Sequence, residues 1–211
     1  MSHGAGSAPV YASSHELVMF PVWLTESARP AGGVTVGVMN SRKPPAVVVA
    51  YQPQWPQQFT VIRAAVDVAL ADVSHDTDHV GSTAVPGLPA KPIIDVDVVV
   101  PAADVVPVAV ARLAAAGWVP EGDLGVTGRE AFEPRDDLPY HHLYVVVSGS
   151  LPYRDHIDLR DLLRARPDRA AQYAALKRQL EPLLGTDREA YVAGKADLIT
   201  DLLREARGTG E

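Results

Sequence analysis

The stretch His79-Val80-Gly81-Ser82-Thr83-Ala84-Val85-Pro86-Gly87-Leu88-Pro89-Ala90-Lys91-Pro92-Ile93-Ile94-Asp95-Val96-Asp97-Val98-Val99-Val100 decides how this chain is read. A Gly-Ser pair opens a Pro/Gly-rich loop, and the loop delivers a lysine to a β-branched run that carries Asp95 and Asp97. Side chains two apart on a strand share one face. Two carboxylates on one face of an apolar strand repel each other unless a cation lies between them, and a divalent metal is the usual answer. Gly81 and Ser82 offer backbone N–H groups and a hydroxyl where the chain can approach a phosphate, and Thr83 adds a second hydroxyl. Lys91 supplies a point charge for phosphate oxygens. Mg²⁺, with Mn²⁺ as the alternative, takes one or two carboxylates together with phosphate oxygens and water. These parts form a minimal kit for phosphoryl or nucleotidyl transfer, chemistry that rests on positioning and charge neutralisation. Each part also has a plainer reading: Gly-Ser as an ordinary turn, Asp-x-Asp as a pair held by arginines.

Outward from this stretch the pattern is that of one folded unit. Val47–Tyr51 reads as a short extended run, with Pro53 and Pro56 marking a turn after it. Phe59, Ile62, Val66, Ala69, Leu70 and Val73 recur at helical steps. Asp76–Val80 and Pro92–Val100 read as strands, the second apolar on both faces apart from its acids and therefore internal to a sheet. Ala103–Ala116 reads as a helix with Pro107 in its first turn and Gly117 as its stop. Trp118-Val119 and Arg129–Phe132 read as short strands about a Gly-rich turn, and His141–Val147 as a longer one. Three helical segments follow, one around Leu159–Leu163, one opened by Pro167-Asp168, and one from the N-cap Asp187 through Leu203. Trp55 and Trp118 are expected in the core. The predicted architecture is an α/β (α+β) domain over residues 46–207, a mixed sheet flanked by helices with a helical C-terminal segment beside or over its functional edge. Residues 1–45, rich in Ser, Ala, Gly and Pro, read as a flexible extension or a start placed too early, with Met39 as the alternative start.

Composition narrows the function classes. The chain has 211 residues, 47% hydrophobic and 21% charged, enough to build a packed core. It has no cysteine, which removes disulfides, thiolate metal sites and cysteine nucleophiles together. No apolar run reaches the length of a membrane span, and a cytoplasmic protein is expected. The net charge of −7 argues against a polynucleotide partner. The charge is uneven, however: Arg154–Arg178 holds seven Lys/Arg against four Asp. A basic segment on an acidic protein suits a nucleotide or another small phosphorylated ligand.

A hydrophobic-Gly-Ser, twelve residues from Thr83 to Ile94, and then a strand with Asp-x-Asp resembles the signature of the nucleotidyltransferase superfamily. The full string from His79 to Asp95 is closer still to the GrpB family within it. Other residues carry the same resemblance: Tyr51 and Trp55, Arg129 ahead of Phe132, His142, Arg160-Asp161-Leu162-Leu163-Arg164, and Tyr191 with Lys195. It extends over about residues 47–206 and is also similar to a domain that some actinobacterial dephospho-coenzyme A kinases carry at their C-terminus. The resemblance implies a nucleotidyltransferase-like fold with Gly81, Ser82, Asp95 and Asp97 at a metal and phosphate site. The chain departs from the superfamily pattern on the strand His141–Val147, where a third carboxylate is expected and His142 stands instead. Tyr144 likewise replaces the second histidine of the family's His-x-His. Glu130, Glu133, Asp158 and Asp161 are the alternative sources of the missing oxygen.

The expected function is Mg²⁺-dependent nucleotidyl transfer from a nucleotide to a small anionic acceptor. In it Asp95 and Asp97 hold the metal, His142 is a ligand or general base, and Gly81, Ser82, Thr83 and Lys91 fix phosphates. Arg129 and Arg160 hold the acceptor or the triphosphate tail. The alternative is a non-catalytic module that binds a nucleotide or a coenzyme A precursor in the same cleft. Lys195 is expected to be solvated.

Overall fold

The computed structural model describes residues 46–208 together with residue 44. Apart from that residue, the expected N-terminal extension and the reading of Met39 as a start lie outside the described residues. The elements are α1 (Trp55–Ala69), β1 (Asp76–Val80), β2 (Ile94–Val100), α2 (Val106–Ala115), β3 (Pro120–Gly122), β4 (Arg129–Phe132) and β5 (His141–Val147). Four helices close the chain: α3 (Leu151–Ala165), α4 (Pro167–Leu180), α5 (Arg188–Ala193) and α6 (Ala196–Ala206). Helices α1 to α4 each carry a proline in the first turn, where the missing N–H costs nothing.

The five strands form one sheet in the order β1-β2-β5-β4-β3. Strand β2 lies between antiparallel β1 and parallel β5, so the internal position expected from its β-branched composition is observed. Strand β4 then runs antiparallel to β5, and β3 antiparallel to β4. Alternation assigns each strand residue to a face. On the back face, Ile94, Val96, Val98, Leu143, Val145 and Phe132 pack against Trp55, Ile62 and Val66 of α1 and Ala109 and Leu113 of α2. Trp55 and Trp118 are both in this core. On the front face a second core joins Val85 and Leu88 of the loop to Leu159, Leu163, Tyr173, Ile199 and Leu202 of the C-terminal helices.

Four expectations need correction. Trp118-Val119 is not a strand, because the pairing with β4 begins only at Pro120. Val47–Tyr51 is not a strand: it makes one isolated bridge, Val49 with Ala90, because no neighbouring strand extends the pairing. The first helix starts at Trp55 rather than near Phe59 and ends before Val73. The last helical segment is two helices broken at Gly194-Lys195. Asp187 does cap the first, accepting from the Ala190 N–H at 2.9 Å, but a Cβ at Gly194 would fall 2.7 Å from Leu180 Cδ2. Among the described residues no helix is long and apolar enough to cross a membrane.

Candidate functional site

The sheet register sets the site. Asp95 stands opposite Val80 of β1 and His142 of β5, and Asp97 stands opposite Asp78 and Tyr144. The front face therefore carries three carboxylates in the middle of the sheet. Each has its own donor. His142 Nδ1 donates to Asp95 Oδ1 at 2.9 Å. His156 Nδ1 donates to Asp97 Oδ2 at 2.8 Å. Tyr153 donates to Asp78 Oδ2 at 2.9 Å, and Arg160 reaches Asp78 Oδ1 and the His79 carbonyl, both at 3.2 Å. Tyr153, His156 and Arg160 fall at i, i+3 and i+7 of α3, one stripe of that helix turned onto the acids.

Asp97 is fully buried, and its Oδ1 has no hydrogen-bond partner among the described residues. Burial raises its pKa above the ordinary carboxylate range, against the pull of His156. Burial also works against charge on His156, but the Asp97 carboxylate and its hydrogen bond prevail and raise the imidazole. The proton between Nδ1 and Oδ2 is thus held to higher pH than a solvated imidazole would hold it.

Gly81 explains why the sequence needs glycine at the head of the loop. Its φ is +70°, and a Cβ there would lie 2.2 Å from Asp95 Oδ2. The backbone and the carboxylate thus approach as only a residue without a side chain permits. Ser82 next to it accepts from Lys177 Nζ at 3.1 Å. Lys177 also bonds the Pro89 carbonyl and lies 4.7 Å from the Tyr173 ring. It is almost fully buried, and burial with Lys195, Arg178 and Lys91 nearby lowers its pKa to about 7. Lys91 and Lys195 face the Tyr191 ring at 5.9 and 4.5 Å.

One cleft joins these groups. Of the residues singled out from sequence, Gly81, Ser82, Thr83, Lys91, Asp95, His142 and Arg160 line it. Asp97 lies beneath the wall, and Arg129 is also off it, buried with its guanidinium 4.4 Å from the Tyr144 ring. Thr83 is buried and occupied structurally: it donates to the Ile93 carbonyl at 3.0 Å and pairs with His79 Nε2 at 3.0 Å. Lys195, expected in solvent, lines the cleft. Sequence reading missed Asp78, His156, Tyr173 and Lys177 as site groups. Asp78 follows from the register, as the β1 residue facing an acid of β2. The helix residues come from sequence-distant turns and leave only a spacing on α3 and α4 as a signal.

The family model described as GrpB protein matches residues 45–205. The chain belongs to the GrpB family. It is 37% identical over 163 residues to a UPF0157 protein of Pseudomonas aeruginosa, covering 75% of this chain and 66% of that one. It is 29% identical over 226 residues to a dephospho-CoA kinase of Mycolicibacterium paratuberculosis, covering 88% of this chain and 56% of the kinase. The crystal structure of conserved protein GrpB from Enterococcus faecalis matches with a TM-score of 0.67 at 29% identity, over 77% of this chain and 98% of that one. The chain spans about half to two thirds of the length of the first curated relatives it matches. The fold is the mixed sheet flanked by helices that the sequence implied, shared with that GrpB structure.

Proposed function

We propose that the cleft binds a nucleotide through its phosphates and a divalent cation, and transfers the nucleotidyl group to a small anionic acceptor. The observation that carries this reading is the polarity of the cleft. Its lining brings the Asp95 carboxylate, set against Gly81, together with Lys91, Lys177 and Lys195, and Lys177 bonds Ser82. A polyphosphate seated there would meet both the cation and the lysines.

The donor set suits Mg²⁺ or Mn²⁺. Asp97 Oδ1 is a buried carboxylate oxygen with no partner, and Asp95 presents a second hard oxygen in the adjacent row. Among the described residues no group of three or more His, Asp or Glu forms a ready-made metal shell, so phosphate oxygens and water would complete the coordination. When bound, the cation would neutralise charge on the reacting phosphate. The chain's own residues do the rest. Gly81 leaves room for the Asp95 carboxylate to lie against the backbone. Ser82 and Lys177 fix the tail, and Arg160 holds the β1 edge of the cleft in place. With its Nδ1–H on Asp95, His142 carries the lone pair on Nε2 and would accept a proton from the acceptor hydroxyl.

The decisive experiment screens nucleoside triphosphates with Mg²⁺ or Mn²⁺ for pyrophosphate release and for a rise in Tm, in wild type and in Asp95→Asn/Asp97→Asn. Release by wild type alone supports the transferase. No release and no Tm shift in wild type overturns it. One observation favours the non-catalytic alternative: β5 places His142 and Tyr144, not an acid, beside Asp95 and Asp97. A Tm shift without pyrophosphate release would decide for that module.

A further inference from the structure

Asp78, Asp95 and Asp97 at the middle of the front face offer six carboxylate oxygens, and four are already bonded by the protein. Both oxygens of Asp78 are taken by Tyr153 and Arg160, Asp97 Oδ2 by His156, and Asp95 Oδ1 by His142. What remains is Asp97 Oδ1, buried and without a partner, and Asp95 Oδ2 against Gly81. A buried carboxylate with one oxygen anchored cannot rotate, so its second oxygen has a fixed position. His156 is itself almost fully buried, and the Tyr144 ring lies 6.0 Å from it, so the imidazole has little freedom to withdraw.

We propose that His156 is a positioning residue for the cation: it locks Asp97 through Oδ2, leaves Oδ1 as the one oxygen that residue can give, and so limits the acid cluster to a single divalent ion. This rests on the metal reading above and goes beyond it in two respects, the role of a residue on α3 and the number of ions. Hydrogen-bond partners of metal-ligating carboxylates hold the ligand's orientation, and their loss costs about 10–100-fold in metal affinity. A histidine that served only to pack α3 onto the sheet would change Tm and leave ion affinity alone.

The test is Mn²⁺ binding to the full chain, followed by the electron paramagnetic resonance signal of the free ion, alongside Tm. Wild type is expected to bind one Mn²⁺ per chain. His156→Ala should weaken binding about 10–100-fold. In His156→Asn the amide N–H takes the position of Nδ1, and affinity should return to within a few-fold of wild type. In His156→Gln the amide falls near Nε2, and affinity should stay low. Two ions per wild-type chain would overturn the proposal. So would equal affinity in His156→Asn and His156→Gln, a comparison that stands even where His156→Ala does not fold. A wild type that binds no Mn²⁺, indistinguishable from Asp95→Asn, defeats the metal reading itself and this inference with it.

Discussion

The two faces of one sheet are made from alternating residues of the same strands, and they solve opposite problems. His141 and His142 are neighbours on β5 and show the contrast best. His141 points to the back, fully buried, donating from Nδ1 to the Pro139 carbonyl at 2.8 Å and accepting from Trp118 Nε1 at 3.3 Å. That pairing needs a neutral ring, and burial lowers its pKa to about 4. His142 points to the front and binds the Asp95 carboxylate. On the back, His141 is satisfied by Pro139 and Trp118 and sealed under apolar helices. On the front, the acids are satisfied from β5 and α3 across long sequence separations. Residue type does not decide which histidine serves a site; the period of two does.

The sharpest way to break the comparison is to cut each face separately. Leu143→Ala on the back removes a fully buried side chain and should cost about 2–5 kcal/mol of unfolding free energy, read by urea denaturation. Asp95→Asn on the front loses a partly exposed hydrogen-bond acceptor for His142 and should change stability by about 1 kcal/mol while abolishing the nucleotide-dependent Tm shift. Equal stability losses would mean that the acids of the front face are part of the core.

Next in size is Gly81→Ala. The positive φ costs about 1–3 kcal/mol for a residue with a side chain, and the new methyl would displace Asp95. Reduced Tm together with lost ligand stabilisation is expected. A variant that keeps the Tm shift would show that Asp95 can move aside without harm to the site.

The sequence made the loop and β2 legible because everything there is local: a left-handed glycine, a period of two, and acids two apart. It made the helices legible through prolines in first turns and apolar spacing. The partners of the acids were not legible. Asp97 is 59 residues from His156, and Asp78 is 82 from Arg160, distances over which no periodicity speaks. Nor does a sequence distinguish a lysine in solvent from Lys177, whose stem and ammonium are enclosed by Tyr173, Ser82 and Pro89. The basic composition of Arg154–Arg178 suits an anionic ligand, yet several of its arginines serve acids of the fold itself: Arg160 pairs with Asp78, and Arg166 and Arg169 pair with Glu205.

The back face predicts an acid limb. His79, stacked on Phe59 at 4.9 Å, is lowered by burial to about 4, as His141 is. Unfolded histidines titrate near 6.5, so between pH 6.5 and 4 the unfolded chain binds more protons and stability falls as pH falls. Urea midpoints measured across that window should decline in wild type, and His79→Phe should flatten the decline. An unchanged slope would mean that groups other than His79, His141 among them, set acid stability.

The smallest effect belongs to Lys177, and it tests the front face by the opposite sign. Its folded pKa is lowered to about 7 while an unfolded lysine titrates near 10.5, so the folded chain gives up its proton first. An anion seated beside the ammonium would favour the charged form and draw a proton onto it. Binding above pH 7 must then take up a proton, and affinity falls as pH rises, by up to about tenfold per pH unit. Sulfate serves as the probe because it stays a dianion across the range. Its affinity, measured by calorimetry from pH 6 to 9, should be flat at first and decline above 7 in wild type. Lys177→Met should bind more weakly at pH 6 and show little further decline. A wild-type profile that matches the variant's would place the anion away from Lys177 and leave that buried ammonium as a structural group between Ser82 and Pro89, a back-face solution on the front of the sheet.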